Sequence, residues 1–145
     1  MPNLFRIVYC SRSLIPHDLE IQKAELEHIL AAARRNNVRD GITGALLFTE
    51  GSFAQALEGS LADIEAALAR IQRDPRHDHV RTLELGPITA RDFPAWSMAF
   101  AGKPETDDPL LGTVLAAALS EASPGAGEVL RFLRRVIATE VLRRP

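Results

Sequence analysis

An α+β fold is the class this sequence predicts, on three observations. Residues 4–10 are strand-like, and two short apolar runs flank a Gly-containing break at Glu50-Gly51, as strands joined by a tight turn do. Two longer segments, 19–37 and 60–74, instead repeat their apolar residues at helical spacing. Strands and helices are interleaved as β-α-β-β-α-β, an order that suits two helices laid on one face of a mixed sheet.

The first strand places Phe5, Ile7 and Tyr9 on one face, and Tyr9 is the only tyrosine of the chain. A polar loop through Pro16 is expected next. Asp18 is suited to cap the first helix, whose inner stripe is Leu26, Ile29, Leu30 and Ala33. Gly41 ends that segment, because glycine takes positive φ freely. The stretch DGITGALLFTEGSFAQALEG, residues 40–59, then reads as a hairpin turning at Glu50-Gly51, with Phe53, Gln55 and Leu57 on one face of its second strand. Ser60 and Asp63 form an S-x-x-D start for the second helix, Ile64, Ala67, Leu68 and Ile71 form its stripe, and Asp74-Pro75 stops it. A fourth strand is expected over about 80–88, with imperfect alternation. A fifth follows over 96–100, with Trp96, Met98 and Phe100 on one face.

Together these elements predict a ferredoxin-like β-α-β-β-α-β sandwich with a fifth strand, occupying residues 1–102. Beyond the linker AGKPETDDP, residues 103–145 carry two further apolar-striped helical segments broken at SPGAG. A sheet covered on one side leaves the other open. These segments are therefore expected as a two-helix cap on that face, or as a contact with a second chain in a homodimer or higher oligomer.

The bulk composition narrows the classes of function. A chain of 145 residues, 46% hydrophobic and 25% charged, is one globular domain with room for a core. A net charge of -2 argues against direct binding to nucleic acid, which calls for a basic surplus. The single cysteine excludes an internal disulfide and a C-x-x-C motif. No stretch approaches the ~20 apolar residues of a membrane-spanning helix, and the first apolar run is too short for a signal peptide. A cytoplasmic protein without membrane contact is expected.

The inward glutamine demands an explanation. A buried primary amide has two donors and an acceptor to satisfy, so something polar must meet Gln55. Tyr9 faces the same core. Asn37 follows Leu26, Leu30 and Ala33 at spacings that bring it to the buried side of the first helix, with Asn36 beside it. Three such groups suit a planar heterocycle with alternating donors and acceptors, or they satisfy one another. As terminators of the helix, the two asparagines need no ligand at all. The run DPRHDH, 74–79, reads as a charged loop where Arg76 and His77, with Arg70, could meet a phosphate or simply face solvent. His77 and His79 lack a recognised metal-ligand spacing, so no metal is expected. Cys10-Ser11-Arg12-Ser13 offers no partner base at a fixed spacing, and Cys10 reads as a small buried hydrophobe. Trp96 and Met98 read as core.

The motifs as a set resemble the BLUF family, the bacterial and protist sensors of blue light using flavin. The resemblance covers about residues 3–101. It rests on Y-C-S at 9–11, R-N-N at 35–37, D-G-I-T-G-A-L-L at 40–47 and F-A-Q-A-L-E-G at 53–59. It continues with R-I-Q-R-D-P-R-H at 70–77 and R-D-F-P-A-W-S-M at 91–98. It implies FAD between the two helices over the sheet, with FMN and riboflavin also accommodated. Gln55 and Asn37 would bond the polar edge of the ring and Tyr9 would bond Gln55. Asn36 stands where some members carry histidine. Ile29, Leu46, Phe53 and Ile71 would form the walls, and Arg76 and His77 would lie near the ribityl-phosphate end.

The resemblance further implies a photoreceptor and not an enzyme. Light would drive an electron from Tyr9 to the flavin and a proton through Gln55, leaving a changed hydrogen-bond arrangement by rotation or tautomerisation of the amide. Trp96 and Met98 would relay it, and the C-terminal segments would pass it to a protein partner. Two other readings stand beside this one: an acylphosphatase-like hydrolase using Arg12 and an asparagine, and a ferredoxin-like interaction module with no chromophore. A yellow protein separates the first from both.

Overall fold

The computed structural model describes residues 4–49, 51–93 and 99–101. Trp96, Met98 and residues 103–145 lie outside the described residues, and with them the expected relay and cap. Within them the chain runs β1 (Phe5–Ser13), α1 (Leu19–Asp40), β2 (Thr43–Thr49), β3 (Ser52–Gly59), α2 (Leu61–Gln72), β4 (His77–Pro87) and β5 (Ala99–Ala101). The strands form one sheet in the order β4-β1-β3-β2-β5. β1 to β4 pair antiparallel with their neighbours, and β5 joins β2 in parallel. This is the predicted ferredoxin-like order, in which each helix bridges two parallel strands separated by one antiparallel strand.

Both helices start where the sequence places their caps. The Asp18 carboxylate accepts the N–H groups of Glu20 and Ile21 at 3.0 and 3.1 Å. Ser60 Oγ accepts the N–H of Asp63 at 3.2 Å and donates to its carboxylate at 2.7 Å. Each cap satisfies donors that the first turn leaves open, an effect of about 1 kcal/mol. The helices lay Leu26, Ile64 and Ala67 on Ile7, Leu46, Phe48, Phe53 and Leu57 of the sheet, with Phe48 and Phe53 rings 4.9 Å apart. Burying each large apolar side chain contributes roughly 1.5–3 kcal/mol, so this layer is the main source of stability. Gly44 lets β2 and β3 close up there, since a Cβ would sit 2.1 Å from the Ala56 carbonyl oxygen.

The other face of the sheet is equally dry. Val8, Cys10, Ala45, Leu47, Ala54 and Ala56 are each 0% exposed, yet they stand outside the cluster that α1 and α2 cover.

Three boundaries depart from the sequence reading. α1 continues past Asn37 to Asp40, so Asn36 and Asn37 lie inside the helix and are not its terminators. Gly41, at φ 67°, is the stop, and both its N–H and that of Ile42 bond the Asn37 carbonyl. β1 runs on through Ser13, where a polar loop was expected, and β4 begins at His77 instead of Val80. Paired backbones extend these strands in spite of their polar side chains. The irregular alternation of β4 has a structural cause: its register against β1 slips between Val8 and Tyr9 and again between Cys10 and Arg12. Each slip places an extra β4 residue opposite β1, and His79 takes φ 52° at the second. The expected start of the fifth strand at Trp96 lies outside the described residues, which show it over Ala99–Ala101.

Candidate functional site

Tyr9 and Gln55 face each other directly across the β1–β3 ladder, on the face covered by the helices. They are 3% and 5% exposed. The Tyr9 hydroxyl donates to Oε1 of Gln55, so the amide nitrogen is not the atom that meets the phenol. Burial, and to a lesser degree the Asp74 carboxylate, push the Tyr9 phenol far above its ordinary range. It is therefore a neutral donor at any physiological pH, because the phenolate would have to exist without water.

Around this pair an open cleft lies between α1 and α2 over the sheet. α1 supplies Ile29, Asn36 and Asn37, and β2 supplies Leu46. β3 contributes Phe53 and Gln55, α2 contributes Ile71, and Arg76 and His77 stand at the start of β4. With Tyr9, these are all ten of the pocket residues expected from the sequence. Asn37 is 4% exposed, at the inner end of the helix face.

Sequence reasoning did not assign to the site Ala32, Ala33, Leu57, Ala67 or Asp74, which also line the cleft, as does Arg70, named from the sequence as a phosphate candidate. In the sequence the alanines look like ordinary packing positions, and only their place in the lining of the cleft distinguishes them.

The mouth is more tightly paired than a solvated loop. Arg76 bonds the Asp74 carboxylate through Nε at 2.9 Å and Nη2 at 2.7 Å, and Glu25 at 3.3 Å. Burial raises the Asp74 carboxyl, but the Arg76 bonds outweigh it and hold the group below the usual carboxylate range. Arg70 reaches Asp40 at 3.6 Å. An anion arriving here would have to share Arg76 with two carboxylates.

His77 is fixed at both nitrogens. Nε2 lies 2.6 Å from the Ile71 carbonyl, which can only accept, so Nε2 carries the proton. In the neutral ring Nδ1 is then an acceptor, and Ser11 Oγ donates to it at 2.7 Å. The ring meets Phe53 edge-on at a centroid distance of 6.0 Å. This bridge joins β1, β4 and the end of α2. Cys10 is buried, and burial raises its thiol. Arg12, the phosphate-binding candidate of the hydrolase reading, is held by both oxygens of Asp78 at 2.8 and 2.6 Å. Among the described residues no cluster of His, Cys, Asp and Glu is arranged to hold a metal, and no helix is long and apolar enough to cross a membrane.

The buried phenol gives a direct test of this geometry. The unfolded chain loses the Tyr9 proton near pH 10, while the folded chain keeps it, so the unfolded state binds fewer protons above that pH. Stability from this group is complete below pH 10 and declines as pH rises beyond it, by ~1.4 kcal/mol per pH unit. With one tyrosine in the chain, phenolate absorbance is expected to be absent from the folded protein at pH 11 and to appear only as it unfolds. A phenolate band titrating near pH 10 in the folded protein would show that Tyr9 is exposed.

A ferredoxin-like sheet with a polar-edged cleft between two helices is suited to hold a small molecule. Residues 4–99 match the family model of BLUF, sensors of blue-light using FAD. The chain belongs to the BLUF family, and FAD is the cofactor by which that family is defined. Among its relatives is the photoactivated adenylate cyclase subunit beta of Euglena gracilis, 33% identical over 99 residues, which are 68% of this chain but 11% of that protein. Among solved structures, dark-state BlrB, a BLUF protein, superposes with a TM-score of 0.72 at 32% identity, covering 97% of this chain and 98% of its own. Klebsiella pneumoniae BlrP1 with FMN and cyclic diGMP gives a TM-score of 0.61 at 25% identity, covering 81% of this chain and 35% of that one.

Proposed function

We propose that this protein senses blue light through a hydrogen-bond switch made of Tyr9 and Gln55. The observation that carries it is the buried bond from the Tyr9 hydroxyl to the Gln55 amide, set in the wall of the cleft. The donor set fits an isoalloxazine ring: amides from Asn37 and Gln55 for its heteroatoms, and Ile29, Leu46, Phe53 and Ile71 for its apolar faces. Asn36, half-buried at the rim, is a further polar contact. Arg76 and His77 stand where the tail would leave the cleft. When bound, the flavin supplies absorption of blue light and the oxidising power of its excited state.

The rest is done by the chain. The Tyr9 hydroxyl points its proton at Oε1 of Gln55. As an electron left Tyr9 for the bound flavin, that proton would follow through the amide, both would return to Tyr9, and Gln55 would be left rotated or tautomerised. A buried amide has few partners, so each arrangement is well separated from the other and one persists after the light is gone. Trp96 and Met98 follow in the sequence as the relay. Residues 103–145 carry the output to a partner protein or a second copy of the chain, a reading supported by the apolar stripes of that segment in the sequence.

The test is an absorption spectrum of the purified protein, reconstituted with FAD if necessary, before and after blue light. A flavin band that moves slightly to the red and recovers in darkness is the expected result. A band that does not move, or a protein that takes up no flavin, would end this reading.

A further inference from the structure

Glu58 follows Gln55 by three residues in β3 and therefore lies on the opposite face. It is 0% exposed, which is unusual for a carboxylate. Its oxygens accept the main-chain N–H groups of Asp92 at 2.7 Å and Phe93 at 3.0 Å, and the Thr43 hydroxyl donates to it at 3.3 Å. Arg91 closes the arrangement from the other side. It donates to Thr43 Oγ1 at 2.7 Å and to the carbonyls of Glu58 and Gly41 at 2.9 and 3.0 Å. The Asp92 carboxylate in turn accepts from Arg6 of β1 at 2.5 Å, and the Phe93 side chain is 2% exposed. Residues 91–93 are thus fastened to β1, β2, β3 and the end of α1.

We propose that Glu58 is a positioning residue of the light response, a latch that fastens residues 91–93 to the β2–β3 hairpin. β5 is fastened to the same hairpin where it pairs with Ala45–Leu47. Both anchors therefore stand on the elements whose inner face holds Gln55. A rearrangement of Gln55 shifts the strand that carries the latch, and the latch sets how readily residues 91–93 follow and return. The inference rests on the reading of Gln55 as the switch. The carboxylate suits the role because it accepts two N–H groups with charge-assisted bonds, whereas an amide would turn a donor towards one of them.

The test compares the full chain with Glu58→Gln, both loaded with FAD. Three quantities are read: the size of the red shift, its decay in darkness, and hydrogen exchange at the amides of Asp92 and Phe93. Glu58 is not in the cleft, so the shift should keep its size. Exchange at the two amides should rise by roughly tenfold or more, as expected for loss of a bond to a charged acceptor. Decay should quicken by at least about threefold, because loosening one anchor lowers the barrier to return. Faster exchange with decay unchanged or slower would make Glu58 a structural residue only and overturn the proposal. Unchanged exchange would overturn the latch itself. Thr43→Ala removes the hydroxyl between Glu58 and Arg91, and it should shift both readouts the same way, carrying the test if Glu58→Gln does not fold. A wild-type protein with flavin but no shift would defeat the switch reading instead, and the exchange data alone would still report on the latch.

Discussion

Gln55→Leu is expected to bind FAD and to show no light-induced red shift. Leucine nearly matches glutamine in length, so the wall of the cleft and the ladder to β1 and β2 survive. What is lost is the amide oxygen to which the Tyr9 hydroxyl donates. No amide remains to rotate or tautomerise, and the switch has no second state. The substitution also strands a buried hydroxyl, which costs about 1–3 kcal/mol. A lower melting temperature with flavin retained is therefore part of the expectation. The measurement is a light-minus-dark difference spectrum of the variant. A difference spectrum like that of the parent protein would remove Gln55 from the mechanism, however close it lies to Tyr9.

The same pair shows how far the sequence could be read. Alternation placed Tyr9 and Gln55 on inner faces, but it could not place them opposite each other. That follows from the register Tyr9↔Gln55, which depends on how β1 enters between β3 and β4. The family motifs supplied the contact in advance, and the ladder accounts for it physically. The caps at Asp18 and Ser60 were legible because each is a local contest between a side chain and water for the same few N–H groups.

Polar residues at strand ends were harder. Ser11, Arg12 and His77 to Asp78 have the composition of a loop, yet they pair as strand because their side chains satisfy one another across β1 and β4. No window of sequence contains that information, since Ser11 and His77 stand 66 residues apart. Glu58 was missed for a related reason. A glutamate beside a glycine at a strand end reads as exposed, and only the arrival of residues 91–93 turns it into an internal acceptor. Asn37 failed in the other direction. Its tendency to terminate helices is worth little beside Gly41, which takes the left-handed conformation without strain, and the helix simply runs on to the glycine.

Tyr9→Phe should likewise abolish the photoproduct while sparing the fold. Phenylalanine keeps the ring that packs beside Ile7 and loses one oxygen, so the expected change in stability is small, about 1 kcal/mol for the missing bond to Gln55. The functional loss should be complete. In the folded protein the Tyr9 phenol is held protonated by burial and by Asp74, so an electron cannot leave it cheaply unless the proton leaves too. Gln55 Oε1 is the acceptor already in contact with that proton. Phenylalanine has neither an accessible electron nor a proton to send with it. The chain contains one tyrosine and one tryptophan, so the result is easy to assign. If Tyr9→Phe still shifts to the red, Trp96 is the remaining aromatic donor, and Tyr9→Phe combined with Trp96→Ala should then be silent. If Tyr9→Phe alone is silent while its flavin is bound, the response requires the phenol, and the hydrogen bond across β1 and β3 is the part of the molecule that light changes.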